Sequence, residues 1–162
     1  MLVRFTKNPA DAAADTLTCV RPDGTATGAD MPRQGILPHH AFHFVVETAL
    51  GWHDAFFGCI ARGESLVETA ARFHAESGAW ARHTQAFQTE ALIECLQAEQ
   101  WGGGSDPAAF AEKLIATCRR RGVPPPDITA EELESLRGAL REFGAAWRPV
   151  PPGASLERTF GT

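Results

Sequence analysis

The chain has 162 residues, 44% apolar and 22% charged, with 15 basic against 20 acidic side chains and a net charge of −5. This is one domain's length with enough apolar residues for a real core, which excludes a disordered segment. The acidic balance argues against nucleic acid or an anionic membrane as partner, no run approaches the ~18 apolar residues of a membrane span, and the lack of Tyr restricts proton chemistry to His, Asp, Glu and Cys.

An α+β domain spanning 1–162 is expected, with a β-rich part over 1–34, a helical part over 35–147 and a Pro-rich tail over 148–162. Leu2-Val3-Arg4-Phe5-Thr6 and Thr16-Leu17-Thr18-Cys19-Val20 alternate and contain β-branched residues, and both read as strands. Pro22-Asp23-Gly24 supplies a turn, from which Thr25 to Asp30 returns as a weaker arm of a small antiparallel sheet.

From Pro38 the apolar period becomes helical, and Pro38 itself suits a first helical position. Phe42, Val45, Val46, Ala49 and Leu50 form one buried face, with Gly51 as the stop. Further helices are expected over Asp54–Arg62, Ser65–Glu76 and, after a break at Gly78, Ala79–Gln100, ending at Gly102-Gly103-Gly104. Asp106-Pro107 pairs an N-cap with a first-turn Pro and predicts a helix to Arg121. Its closing triplet Arg119-Arg120-Arg121 reads as dipole-complementing cations facing water, in preference to an anion site. After the stiff Gly122–Pro126 linker, Thr129 and Glu132 form a capping box that opens a helix to about Ala146. Ser155 to Phe160 returns to β character and is placed as an extra strand of the N-terminal sheet, giving a small sheet against four to six helices.

Three of the six histidines lie within five residues. His39 and His43 are one helical turn apart, the spacing by which a helix offers two imidazoles to one metal ion. With His39 at zero on a helical wheel, His43 falls near ~40°, Glu47 near ~80° and His40 near ~100°. The pair then occupies the shoulder of the apolar face, with His40 and Glu47 leaning towards solvent. The positive helix N-terminus favours neutral, metal-competent His39. Further ligands are sought from His53 in the next turn and from the row His83, Glu90 and Glu94 on the long helix, with two His and one carboxylate as the expected donor set. His40 stands where the zincin motif carries its Glu base, so that motif's protease chemistry is not supported.

Leu37-Pro38-His39-His40-Ala41-Phe42-His43-Phe44-Val45-Val46-Glu47, followed by Phe56-Phe57-Gly58, resembles the signature of a family of small uncharacterised bacterial proteins. Its members carry an H-D-x-x-H helix start, an aromatic, a V-E pair and a G-F-F-G turn. The resemblance extends to the preceding hairpin and to Gln97-Ala98-Glu99-Gln100-Trp101, departs at His40 where Asp is usual, and implies no assigned activity. The H-D-x-x-H-x11-E zinc motif of ubiquinone-biosynthesis scaffold proteins is not met, because its last ligand position is Ala55.

Three functions compete. In the first, a divalent ion such as zinc on His39 and His43, with His53 or His83 completing the set, activates water for hydrolysis of a small substrate, and Glu47 or His40 shuttles the proton. In the second, the histidines are structural, and the aromatic residues and sheet edge serve a homodimer or another non-catalytic interaction. The third makes Cys59 a nucleophile, against the simpler reading of a small buried hydrophobe. Four scattered cysteines with no C-x-x-C pair, and no secretory h-region in Met1–Ala14, point to reduced thiols in a cytoplasm. No phosphate-binding loop, dinucleotide fingerprint or Gly-x-Ser-x-Gly elbow is present.

Overall fold

The computed structural model describes every residue except 34, 36, 76–82 and 162. The expected break at Gly78 and helix start at Ala79 therefore lie outside the described residues, as does the side chain of His74. The fold is α+β. Strands β1 (Leu2–Thr6), β2 (Asp15–Val20), β3 (Ala26–Met31) and β4 (Ser155–Thr159) form an antiparallel sheet in the order β3-β2-β1-β4. Alternation drives the pairing: Phe5 sits between Leu17 on β2 and Leu156 on β4, so one face gathers Val3, Phe5, Leu17 and Cys19, all fully buried. The tail strand is locked to the start of the chain by the Met1 amine donating to the Phe160 carbonyl at 2.8 Å.

Six helices occur among the described residues: α1 (His39–Leu50), α2 (Phe56–Ala61), α3 (Leu66–Ala75), α4 (Thr84–Gly102), α5 (Pro107–Arg121) and α6 (Ala130–Trp147). Pro38 is the N-cap of α1 and not its first residue, a one-position shift (ψ 142°) that keeps its carbonyl free to accept from Ala41 N–H. Gly51 closes α1 at φ 62°, the left-handed conformation that favours glycine. Asp106 caps α5 by accepting from Ala108 and Ala109 N–H at 3.0 Å, and the Thr129–Glu132 capping box opens α6.

The central helix α1 packs against α2, α4 and α6. Phe44 also carries it onto the sheet, edge-on to Phe5 at 6.0 Å, while Phe143 of α6 approaches the same ring at 5.1 Å. Seven consecutive residues of α1, Ala41 to Glu47, are buried. That pattern belongs to a helix enclosed on all sides, and it overturns two details of the one-sided reading. Ala49, expected in the core, is exposed, and Glu47, expected towards solvent, is fully buried. No helix among the described residues is long and apolar enough to cross a membrane.

Candidate metal centre

The first two turns of α1 and the second turn of α4 bring three donors together. His43 Nε2 lies 3.2 Å from His39 Nε2 and 3.1 Å from Glu90 Oε1, and His39 Nε2 lies 3.7 Å from Glu90 Oε2. Bonds of about 2.0–2.1 Å at a tetrahedral angle put neighbouring ligand atoms roughly 3.3 Å apart. His43 Nε2 stands at that separation from both of its neighbours, His39 meets the other oxygen of the Glu90 carboxylate, and with one ligand atom from each residue lying within 4.8 Å of the others the group could hold a metal ion. Two imidazole nitrogens at 3.2 Å must otherwise share one proton between two lone pairs.

Behind His43 stands Glu47. Its Oε1 accepts from His43 Nδ1 at 3.2 Å, and its Oε2 accepts from the N–H groups of Phe57 and Gly58 at 2.8 and 3.3 Å. Both oxygens are thus engaged on the side of His43 away from the donor cluster, at the start of α2. Gly58 is required there because a Cβ would meet the His53 carbonyl oxygen at 1.9 Å. With Nδ1–H committed to Glu47, His43 turns Nε2 towards the donor cluster, where a metal ion would take the place of its proton, the carboxylate–histidine arrangement that orients metal-binding imidazoles. At the other donor, His39 Nδ1 lies 3.5 Å from the Gln97 amide.

The charges follow the contacts. Burial opposes a charged His43, but the carboxylates of Glu90 and Glu47 outweigh it and lift the imidazole to about 9. Burial pushes Glu90 upward, and His43 and His39 overcome it, holding the carboxyl well below the usual range. Burial raises Glu47 against its hydrogen bonds. His40 is desolvated beside two other imidazoles and is pushed down to about 3, so it is neutral, with its Nδ1 buried and lacking a partner among the described residues.

The donors line a cavity of about 320 Å³, at the lower end of the ~300–1,000 Å³ range of small-molecule sites. His40 shares the lining, with Phe56, Phe73 and Phe87 as apolar walls and Arg121 as the cationic one.

The other candidates are placed elsewhere. His53 is exposed in the turn between α1 and α2, with its ring 5.9 Å from Phe160, and is not among the three grouped donors. His83 is the N-cap residue of α4, its ring 5.6 Å from Phe73, and it too stands outside the group. One turn beyond Glu90, Glu94 pairs with Arg120 at 2.5 Å and Arg121 at 3.0 Å. Within the row His83, Glu90 and Glu94, then, Glu90 alone joins the histidines among the described residues. Glu47, considered as a proton shuttle, faces His43 and backbone N–H groups and has no place in the cavity lining. Arg121 does not simply face water with Arg119 and Arg120: it is half-buried and lines the cavity. Its sequence signal was the basic triplet, but only packing of α5 on α4 selects which of the three turns inward. Cys59 is buried and its thiol is pushed up by desolvation, the opposite of an activated nucleophile. All four cysteines are buried and free.

No protein-family model matches this chain, and no curated protein or solved structure is significantly similar to it.

Proposed function

We propose that this protein is a zinc-dependent hydrolase acting on a small substrate, with His39, His43 and Glu90 as the ligands of a mononuclear site. The observation that carries the reading is the convergence of two imidazole nitrogens and the Glu90 carboxylate, one ligand atom from each within 4.8 Å of the others, on the wall of a cavity. Two His and one Glu leave a fourth tetrahedral position, the arrangement of catalytic rather than structural zinc. A zinc ion held there would lower the pKa of a bound water from ~15.7 to roughly 7 and so would supply a nucleophile at neutral pH.

The protein's own groups divide the remaining work. Glu47 is a positioning residue: by holding Nδ1–H it keeps the His43 Nε2 lone pair aimed at the ion. His40 lines the cavity as a neutral imidazole, held too low to carry a proton itself, and would serve as a hydrogen-bond partner for the bound substrate. Phe56, Phe73 and Phe87 exclude water and seat an apolar substrate body.

Zinc stoichiometry after equilibration and desalting tests this reading. One zinc per chain is expected for the wild type, and His39→Ala, His43→Ala and Glu90→Gln should each lose it. Protein that emerges metal-free, with the same thermal stability in zinc and in chelator, would sink the proposal.

A further inference from the structure

The same cavity has a second polar feature that zinc chemistry does not use. Arg121 ends α5 and lines the cavity, half-buried, while Arg119 and Arg120 are exposed. Its only ion-pair partner among the described residues, Glu94, is already shared with Arg120, so two guanidinium groups face one carboxylate and one positive charge is left over. The Arg121 Nε–H is also buried with no acceptor among the described residues. A guanidinium whose Nε–H is shielded from water and whose one carboxylate partner is shared keeps an unmet donor at the cavity, which a ligand can complete.

A divalent ion held by Glu90 would add its own excess positive charge to the same cavity wall, while Phe56, Phe73 and Phe87 leave the rest apolar. A neutral apolar ligand would leave Arg121 unsatisfied. The modest cavity volume disfavours a large polyanion such as a nucleotide. A ligand with a single planar carboxylate and an apolar body meets each of these features, because the guanidinium fork matches a carboxylate in shape and charge.

We infer that the cavity takes a small organic acid, its carboxylate bound by Arg121 and its apolar body lying against the three phenylalanines. The assignment of such an acid as substrate rests on the zinc reading above, whereas its binding by Arg121 can be measured with or without the metal.

Calorimetric titration of the full chain with benzoate and with its neutral analogue benzamide, each with and without zinc, tests the inference. Benzoate should bind at least about tenfold more tightly than benzamide, and Arg121→Gln should remove that preference while zinc content stays at the wild-type level. Glu94→Gln frees Arg121 from its internal competitor and should tighten benzoate binding, a gain that misfolding cannot produce. Equal affinity for the two probes, or a benzoate preference that survives Arg121→Gln because the carboxylate binds zinc instead, overturns the inference and leaves the zinc reading standing. An Arg121-dependent preference in a protein that binds no zinc supports the anion site and sinks the hydrolase.

Discussion

Replacing Glu47 by Gln changes one atom type and should disable the metal site through a hydrogen-bond argument alone. Glu47 accepts from three donors: His43 Nδ1 on one oxygen and the N–H groups of Phe57 and Gly58 on the other. A glutamine amide has one acceptor oxygen and one donor nitrogen. Facing its NH2 towards two backbone N–H groups would set donors against donors, so the amide oxygen must take the Phe57 and Gly58 side. Its NH2 then faces His43 Nδ1, which must become the acceptor, and the imidazole proton moves to Nε2, the atom 3.1 Å from Glu90 and 3.2 Å from His39. A protonated Nε2 cannot ligate. Loss of an outer-shell partner typically weakens metal affinity about 10–100-fold, or ~1.4–2.7 kcal/mol. Competition against a chromophoric chelator measures it, with the urea midpoint as a check on folding. Glu47→Ala would orphan both N–H groups and His43, and should cost about 3–5 kcal/mol in stability as well. Folded Glu47→Gln with wild-type zinc affinity would refute the positioning role.

Three other outcomes follow from the same contacts. Gly58→Ala places a methyl group 1.9 Å from the His53 carbonyl oxygen, a backbone clash that cannot relax by a side-chain movement. It should cost about 3 kcal/mol or more by chemical denaturation. Glu99 pairs with Arg137 at 2.5 Å; burial raises its carboxyl, but Arg137 and Ser105 more than offset this and hold it below its ordinary 4.5. Since the unfolded chain binds this proton more readily, the pair's contribution is complete above about pH 4.5 and fades as pH falls through the lower folded value. Glu99→Gln should therefore flatten the acid limb of stability against pH, and urea midpoints at neutral and acid pH that fall equally in both proteins would contradict it. Thr129→Ala removes the capping box of α6 and should lower stability by about 1 kcal/mol, read as a drop in Tm.

Local patterns announced much of this architecture. Alternation located β1 and β2, and the capping chemistry of Asp106-Pro107 and Thr129–Glu132 located the starts of α5 and α6 to the residue. The tail strand was legible because Ser155 to Phe160 regains β character after a Pro-rich stretch; it joins the N-terminal sheet as expected, and the structure adds that its partner is β1. The i, i+4 pair His39 and His43 was visible because both candidate donors share one helix. Glu90 was visible only as one of a row, since its selection over His83 and Glu94 depends on how α4 crosses α1. Glu47 was misjudged for a physical reason. A wheel built from apolar residues assumes one buried side, whereas α1 is enclosed by α2, α4, α6 and, through Phe44, the sheet, so that Glu47 is buried with His43 and two backbone N–H groups as partners.

The most direct test of the central claim is a crystal of zinc-equilibrated protein measured on both sides of the zinc absorption edge. A single anomalous peak within about 2.0–2.2 Å of His39 Nε2, His43 Nε2 and a Glu90 carboxylate oxygen, with a fourth position open to the cavity, is the expected result. No peak there, with the His43–Glu90 and His43–His39 contacts unchanged, would make the cluster a structural hydrogen-bond network and contradict the account.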